Sequence, residues 1–161
     1  MSALPFVDEH DQPLAAPADV VWQALLRVVR GAFGRKGRVA RILGCEPAQG
    51  SLEFAGRPGD TVPGFRVSEA EPGRRLVLRG RHRFADYALT FDYDGTRLRA
   101  ITQAAFPGIR GKLYRAAVIG SGGHRIVTRR LLRAVARAAR SVVEPSHSSR
   151  GEGPPSTDVI Q

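Results

Sequence analysis

The chain is poor in sulfur and in aromatic rings. Among 161 residues there is one cysteine, one methionine and one tryptophan, and aromatics make up 7%. A single thiol, Cys45, excludes an internal disulfide and a cysteine-rich metal centre. No stretch approaches the roughly 20 apolar residues of a membrane-spanning helix. The N-terminus, Met1 to Glu9, has neither a basic segment nor an apolar core, so no signal peptide is expected and the cytoplasm is the default compartment. Lysine is scarce as well: Lys36 and Lys112 are the only two among 25 cationic residues. With 42% hydrophobic and 25% charged residues, the composition is that of a globular domain, and the length supports one core.

The most telling absence is of acid between Arg110 and Arg140. That segment carries nine cations: Arg110, Lys112, Arg115, Arg125, Arg129, Arg130, Arg133, Arg137 and Arg140. Taking these nine from 25 leaves 16 cations against 15 acids, so almost all of the net +10 resides here. The same segment has an apolar or small residue at Leu113, Ala117, Gly120, His124, Val127, Leu131, Val135 and Ala138. Steps of three and four keep these on one face of a helix. The expectation is an amphipathic helix with a small-residue inner face and an arginine outer face.

Upstream, Val7 to Ala15 reads as an edge strand in which Val7, Glu9 and Asp11 alternate with Asp8, His10 and Gln12. Pro17 suits the first turn of a helix, and Asp19 suits its positive end. Val20, Val21, Ala24, Leu25, Val28 and Val29 form the buried side, with Gly31 and Gly34 as stops. Val39 to Leu43 reads as a second short helix closed by Gly44 and Pro47.

From Ser51 the pattern has period two. Pro72-Gly73, a corner between Arg83 and Asp86, and Asp94-Gly95 divide it into hairpins. A two-residue loop at Asp94-Gly95 pairs Tyr93 with Thr96, Phe91 with Leu98, Leu89 with Ala100 and Tyr87 with Thr102. The corner near Phe84 sets His82 opposite Tyr87, Gly80 opposite Leu89 and Leu78 opposite Phe91. Pro72-Gly73 sets Glu69 opposite Leu76, Val67 opposite Leu78 and Phe65 opposite Gly80. All three hairpins place the same residues on one apolar face. The other face carries Arg66, Arg79, Arg81, Arg83, Arg97 and Arg99, with Thr90 and Asp92. This describes an antiparallel sheet that is apolar on one side and wet on the other. The proline-, serine- and glycine-rich tail from Ser141 to Gln161 is expected to be disordered, leaving 1–140 as the domain.

A strand, two helices, an antiparallel meander and a long terminal helix together resemble the helix-grip fold of the START-like superfamily, which includes birch-pollen-allergen-like proteins and polyketide cyclases. The resemblance is carried by Ala16-Pro17-Ala18-Asp19-Val20-Val21-Trp22 at the first helix. Gly64-Phe65-Arg66-Val67 leading into Glu71-Pro72-Gly73-Arg74-Arg75-Leu76-Val77-Leu78 adds to it, as does Leu113-Tyr114-Arg115 followed by Gly120-Ser121-Gly122-Gly123-His124. It covers residues 5 to 140 and is nearest to the bacterial branch. It implies an α+β fold, a curved antiparallel sheet wrapped around the C-terminal helix. It also implies a cavity between sheet and helix for a hydrophobic small molecule or lipid.

His82 and His124 fall on inward faces. With Tyr87, Thr102 and Glu69 they would make a polar end to an apolar pocket, or act as acid or base. The alternative is a core imidazole satisfied by one hydrogen bond. The candidate catalytic set is His82, His124 and Tyr87. The candidate ligand-binding set is Phe65, Val67, Leu78, His82, Tyr87, Leu89, Phe91, Thr102, Leu113, Ala117 and His124. Glu69 is the only available third zinc ligand, so no metal site is expected, and nothing points to a cofactor. Gly120-Ser121-Gly122-Gly123 matches neither a P-loop nor a dinucleotide fingerprint and reads as a helix kink. Gly80, lacking a side chain, reads as space or a bulge. Trp22 is placed at one end of the cavity or in the core, and Cys45 is structural.

Three functions follow. The first is binding or carriage of a hydrophobic ligand. The second is a cyclase- or dehydrase-type reaction in the same cavity, with His82 or His124 as base and Tyr87 orienting a carbonyl. The third is an interaction module whose arginine helix contacts an anionic membrane or nucleic acid, although no aromatics interleave the basic residues to support base stacking. No feature speaks to oligomeric state. Small residues at Gly80, Ala100, Ala117, Gly120 and Ala138, walled by Phe65, Leu89, Phe91, Leu113 and Leu131, predict a pocket between the terminal helix and the meander on the order of 300 Å³ or more. Ala100→Phe or Ala117→Phe would be expected to fill it.

Overall fold

The computed structural model describes residues 4–108, 113, 116 and 123–143. Six antiparallel strands form one sheet: β1 (Phe6–Pro13), β2 (Thr61–Val62), β3 (Phe65–Glu71), β4 (Arg75–His82), β5 (Ala85–Tyr93) and β6 (Arg97–Ala105). Their spatial order is β1-β6-β5-β4-β3-β2, so β1 is an edge strand, as its charge suggests. Helices α1 (Ala18–Gly34) and α2 (Gly37–Leu43) follow β1, and α3 (Gly123–Val143) closes the fold. No helix among the described residues is long and apolar enough to cross a membrane.

Local chemistry explains the elements. Pro17 precedes the first residue of α1 with extended geometry, and Asp19 lies in the first turn. α1 continues through Gly31, which the sequence suggested as a stop, and ends at Gly34. The ring of Phe33, beyond Gly31, is buried in the core and holds the last turn down. α2 begins two residues earlier than expected and ends on Gly44 at φ +67°, a left-handed cap that glycine adopts without strain.

Two hairpins are offset by two residues from the expected pairing. Tyr93 pairs with Leu98 and Leu89 with Thr102, because the Asp94 turn is longer than two residues. The Asp94 carboxylate accepts hydrogen bonds from the Thr96 and Arg97 amides and the Thr96 hydroxyl at 2.8–2.9 Å. These bonds hold the carboxyl well below the usual carboxylate range. At the other hairpin the loop is shorter than expected: His82 pairs with Ala85, and Tyr87 lies opposite Gly80. A shift of two preserves the face of every side chain, so the apolar face is the expected one.

The third hairpin carries a one-residue irregularity. Val67 pairs with Leu78 as expected, but a bulge at Ser68 sets Glu69 opposite Val77. A one-residue slip flips faces. Glu69 is therefore exposed and pairs with Arg75 at 3.6 Å, and it cannot contribute to an inner pocket. The arginine-rich outer face is salted with acids. Arg75 meets Asp92, Arg99 meets Asp94 and Arg97 meets Asp11.

α3 runs through Val143, three residues into the segment expected to be disordered; residues 144–161 lie outside the described ones. Its buried seam is Thr128, Leu131, Leu132, Val135, Ala136 and Ala139. The expected stripe was narrower: Val127 is exposed and Ala138 only half-buried. The reason is that α3 packs on the sheet and on α1 at once, so it buries a wider arc than a single seam. The core joins Trp22, Leu25, Leu26, Val29 and Phe33 of α1 to Leu76, Leu78, Phe91, Leu98 and Ala100 of the sheet and to this seam.

Candidate ligand cavity

A cavity of about 330 Å³ lies where α2, the sheet and the first turns of α3 converge. The end of α1 contributes Phe33, and α2 contributes Val39, Ala40 and Leu43, with Cys45 just beyond. Phe65, His82, Tyr87, Leu89 and Thr102 form the sheet wall, and Val127, Thr128 and Leu131 come from α3. Lys36, Val39 and Val127 line the cavity and are also exposed, so it opens to solvent between α2 and α3. Among the described residues, no aspartate or glutamate lines it.

The wall carries a row of rings in mutual contact. Phe33 and Phe65 have centroids 4.8 Å apart, Phe65 and Tyr87 5.1 Å, and Tyr87 and His82 5.3 Å. The Phe65–Tyr87 contact is edge-on, a favoured aromatic geometry, and the other two are tilted. Gly80 makes the row possible. A Cβ there would lie 1.9 Å from the Gly64 carbonyl oxygen and 2.4 Å from the Tyr87 ring. Gly80 is therefore not empty space, as its missing side chain suggested. The Tyr87 ring covers it, and the Tyr87 hydroxyl donates to the Gly64 oxygen at 2.8 Å.

His82 sits at the polar end of this row. Its Nδ1 accepts a hydrogen bond from the Phe84 amide at 3.1 Å. Burial pushes its pKa down, against a weaker opposing pull from Asp86. A neutral imidazole whose Nδ1 accepts carries its proton on Nε2. His82 lines the cavity with its Nδ1 engaged by the Phe84 amide. The Tyr87 hydroxyl proton is likewise committed to Gly64.

Of the sequence-derived ligand set, the structure brings Phe65, His82, Tyr87, Leu89 and Thr102 together around the cavity. Val67, Leu78 and Phe91 do not reach it; each is at most 1% exposed in the packed core. Leu113 is 69% exposed rather than walled in. Ala117 and the side chain of His124 lie outside the described residues, as does Gly120-Ser121-Gly122. Ala100 is fully buried and does not line the cavity, so filling at that position would overpack the core. Trp22 is plain core. Sequence reasoning missed the α2 wall and Cys45, which is buried and lines the cavity. It also missed the half-buried pair of His10 and Asp8 on β1, with Nε2 3.4 Å from Oδ2. Asp8 is opposite the cavity residue Thr102, and the alternation that puts Asp8 and His10 on one face of β1 was the available signal.

Comparison with known proteins agrees with this architecture. No protein-family model matches the chain, and no curated protein matches it significantly. Solved structures do. A Rhodobacter sphaeroides protein is similar at 18% identity and a TM-score of 0.51, covering 88% of this chain and 100% of its own. A Chromobacterium violaceum protein is similar at 17% identity and a TM-score of 0.50, covering 83% and 96%. The chain shares their fold, the helix-grip architecture expected from its sequence: an antiparallel sheet with a terminal helix packed on it and two short helices after the first strand. A Corynebacterium glutamicum protein described as polyketide-cyclase-like is also similar, at 16% identity and a TM-score of 0.44 over 93% of this chain and 100% of its own. At these identities the likeness is one of fold, and function has to be argued from the cavity itself.

Proposed function

We propose that the protein binds a hydrophobic small molecule or lipid in the cavity between α2, the sheet and α3. The observation that carries the reading is the cavity: about 330 Å³, largely apolar and open at one side. Interiors seldom leave such space unfilled, and the volume is within the range of small-ligand sites. Its polar groups narrow the ligand. His82 places an imidazole in the wall, Lys36 offers a cation at the opening, and no acid is among the described lining residues. A ligand with an apolar body and a carbonyl or carboxylate end fits; a cationic amphiphile does not.

Native mass spectrometry of gently purified protein tests this, followed by titration with medium-chain fatty acids, their amines and aromatic polyketides. Acids or carbonyl compounds binding at micromolar concentration, with amines excluded, are the expected result. Finding no co-purified species and no micromolar ligand in that panel would remove the reading.

A further inference from the structure

A second basic stretch lies far from the terminal helix in sequence. Between Asp19 and Glu46 there is no acid, and the six cations Arg27, Arg30, Arg35, Lys36, Arg38 and Arg41 fall in that interval. The last four are exposed on or beside α2. Across the cavity opening, the first turns of α3 expose Arg125, Arg129 and Arg130. Aliphatic surface lies between these cations. Val39 is 53% and Ile42 76% exposed on α2, while Ile126 is 53% and Val127 43% exposed on α3. Val39 and Val127 both line the cavity, so the two aliphatic patches border its mouth.

Arg75, Arg81, Arg97 and Arg99 of the outer sheet face have acids beside them, whereas the cations around the mouth form no ion pair among the described residues. An aliphatic patch set with unpaired cations matches a surface that is anionic outside and apolar beneath. We propose that the cavity mouth, formed by α2 and the first turns of α3, docks on an anionic lipid bilayer. Ile42 and Ile126 enter the headgroup boundary, and the flanking arginines meet lipid phosphates. Duplex nucleic acid would satisfy the arginines but not the exposed aliphatics, and among the described residues no exposed aromatic stands beside them to stack on a base. In this pose the opening faces the bilayer, so an apolar ligand can move between membrane and cavity without crossing water. The inference does not depend on the identity of any cavity ligand.

The test is co-sedimentation of the full chain with vesicles of phosphatidylcholine alone or mixed with phosphatidylglycerol. Binding is expected only to the anionic vesicles, strong at about 50 mM salt and weakened at about 200 mM. Ile42→Asp and Ile126→Asp, at exposed positions, should each weaken it by about tenfold or more. Arg38→Glu combined with Arg41→Glu should do the same. Circular dichroism and thermal melts establish that each variant is folded; if one aspartate variant is not, the other and the glutamate pair are read. No binding to anionic vesicles at about 50 mM salt overturns the proposal. So does aspartate-variant binding equal to that of the parent, or duplex DNA binding that displaces vesicles and ignores the aspartate changes. Vesicle binding lost in Ile42→Asp while a soluble cavity ligand still binds supports docking and separates it from the ligand reading.

Discussion

Filling the cavity at Ala104 should raise stability and abolish ligand binding, whereas the same change four residues earlier should do the opposite. Ala104 lines the cavity on the inner face of β6, opposite Tyr87. Ala100 is on the same face but wholly buried, with no cavity beside it. Ala104→Leu adds three carbons; at roughly 0.8 kcal/mol each, their burial contributes about 2.4 kcal/mol. Ordering the leucine side chain costs about 0.5–1 kcal/mol, which leaves a net gain of about 1.5 kcal/mol. For a domain of this length that is a Tm increase of about 3–6 °C. Ala100→Leu inserts the same carbons into close-packed surroundings and should cost about 1–3 kcal/mol. Calorimetric melts of both variants, with titration of an apolar fluorescent probe such as anilinonaphthalene sulfonate, give the two readouts. The expected result is a higher Tm and lost probe binding for Ala104→Leu, and a lower Tm with probe binding retained for Ala100→Leu. If Ala104→Leu destabilises as much as Ala100→Leu, the space is already packed, and the ligand reading loses its physical basis.

Gly80→Ala should cost about 3 kcal/mol or more, measured by urea denaturation, because its Cβ would meet the Gly64 oxygen at 1.9 Å. Tyr93→Phe should cost about 1–3 kcal/mol in the same assay; the buried Tyr93 hydroxyl lies 2.7 Å from the Ala16 oxygen, and also near the Leu14 and Gly95 oxygens and the Ala16 amide. His82 makes stability depend on pH. Its folded pKa is below the ordinary 6.5, so the unfolded chain takes up the proton first as pH falls. Its contribution is complete above about pH 6.5 and is lost as pH falls through the depressed folded value. His82→Gln should flatten that part of a Tm-against-pH curve, and an unchanged curve would contradict the assignment. Asp94→Ala should lower Tm at pH 7, with the difference from the parent shrinking as pH falls through the depressed Asp94 pKa and the parent's turn loses its acceptor.

The sequence by itself determined the class of fold and the faces of the sheet. Period-two alternation carries face information that survives a slip of two, which is why Leu76, Leu78, Leu89 and Phe91 are inside even though both later hairpins pair differently from expectation. Local signals also marked the start of α1 at Pro17 and the left-handed end of α2 at Gly44, because caps depend on adjacent residues alone. Tertiary structure decided what lines the cavity. Register within a hairpin was set by side chains binding backbone, Asp94 in one turn and His82 in the other, which a turn dipeptide does not reveal. The Ser68 bulge turned Glu69 outward by a one-residue slip that leaves no clear trace in alternation. Whether an inward residue meets packed core or open space depends on what approaches from another element. Val67 and Leu78 are filled in from above and Phe65 and Leu89 are not, because α2 and the first turns of α3 stand apart there. That separation is a property of three elements distant in the chain, and no periodicity within one of them encodes it.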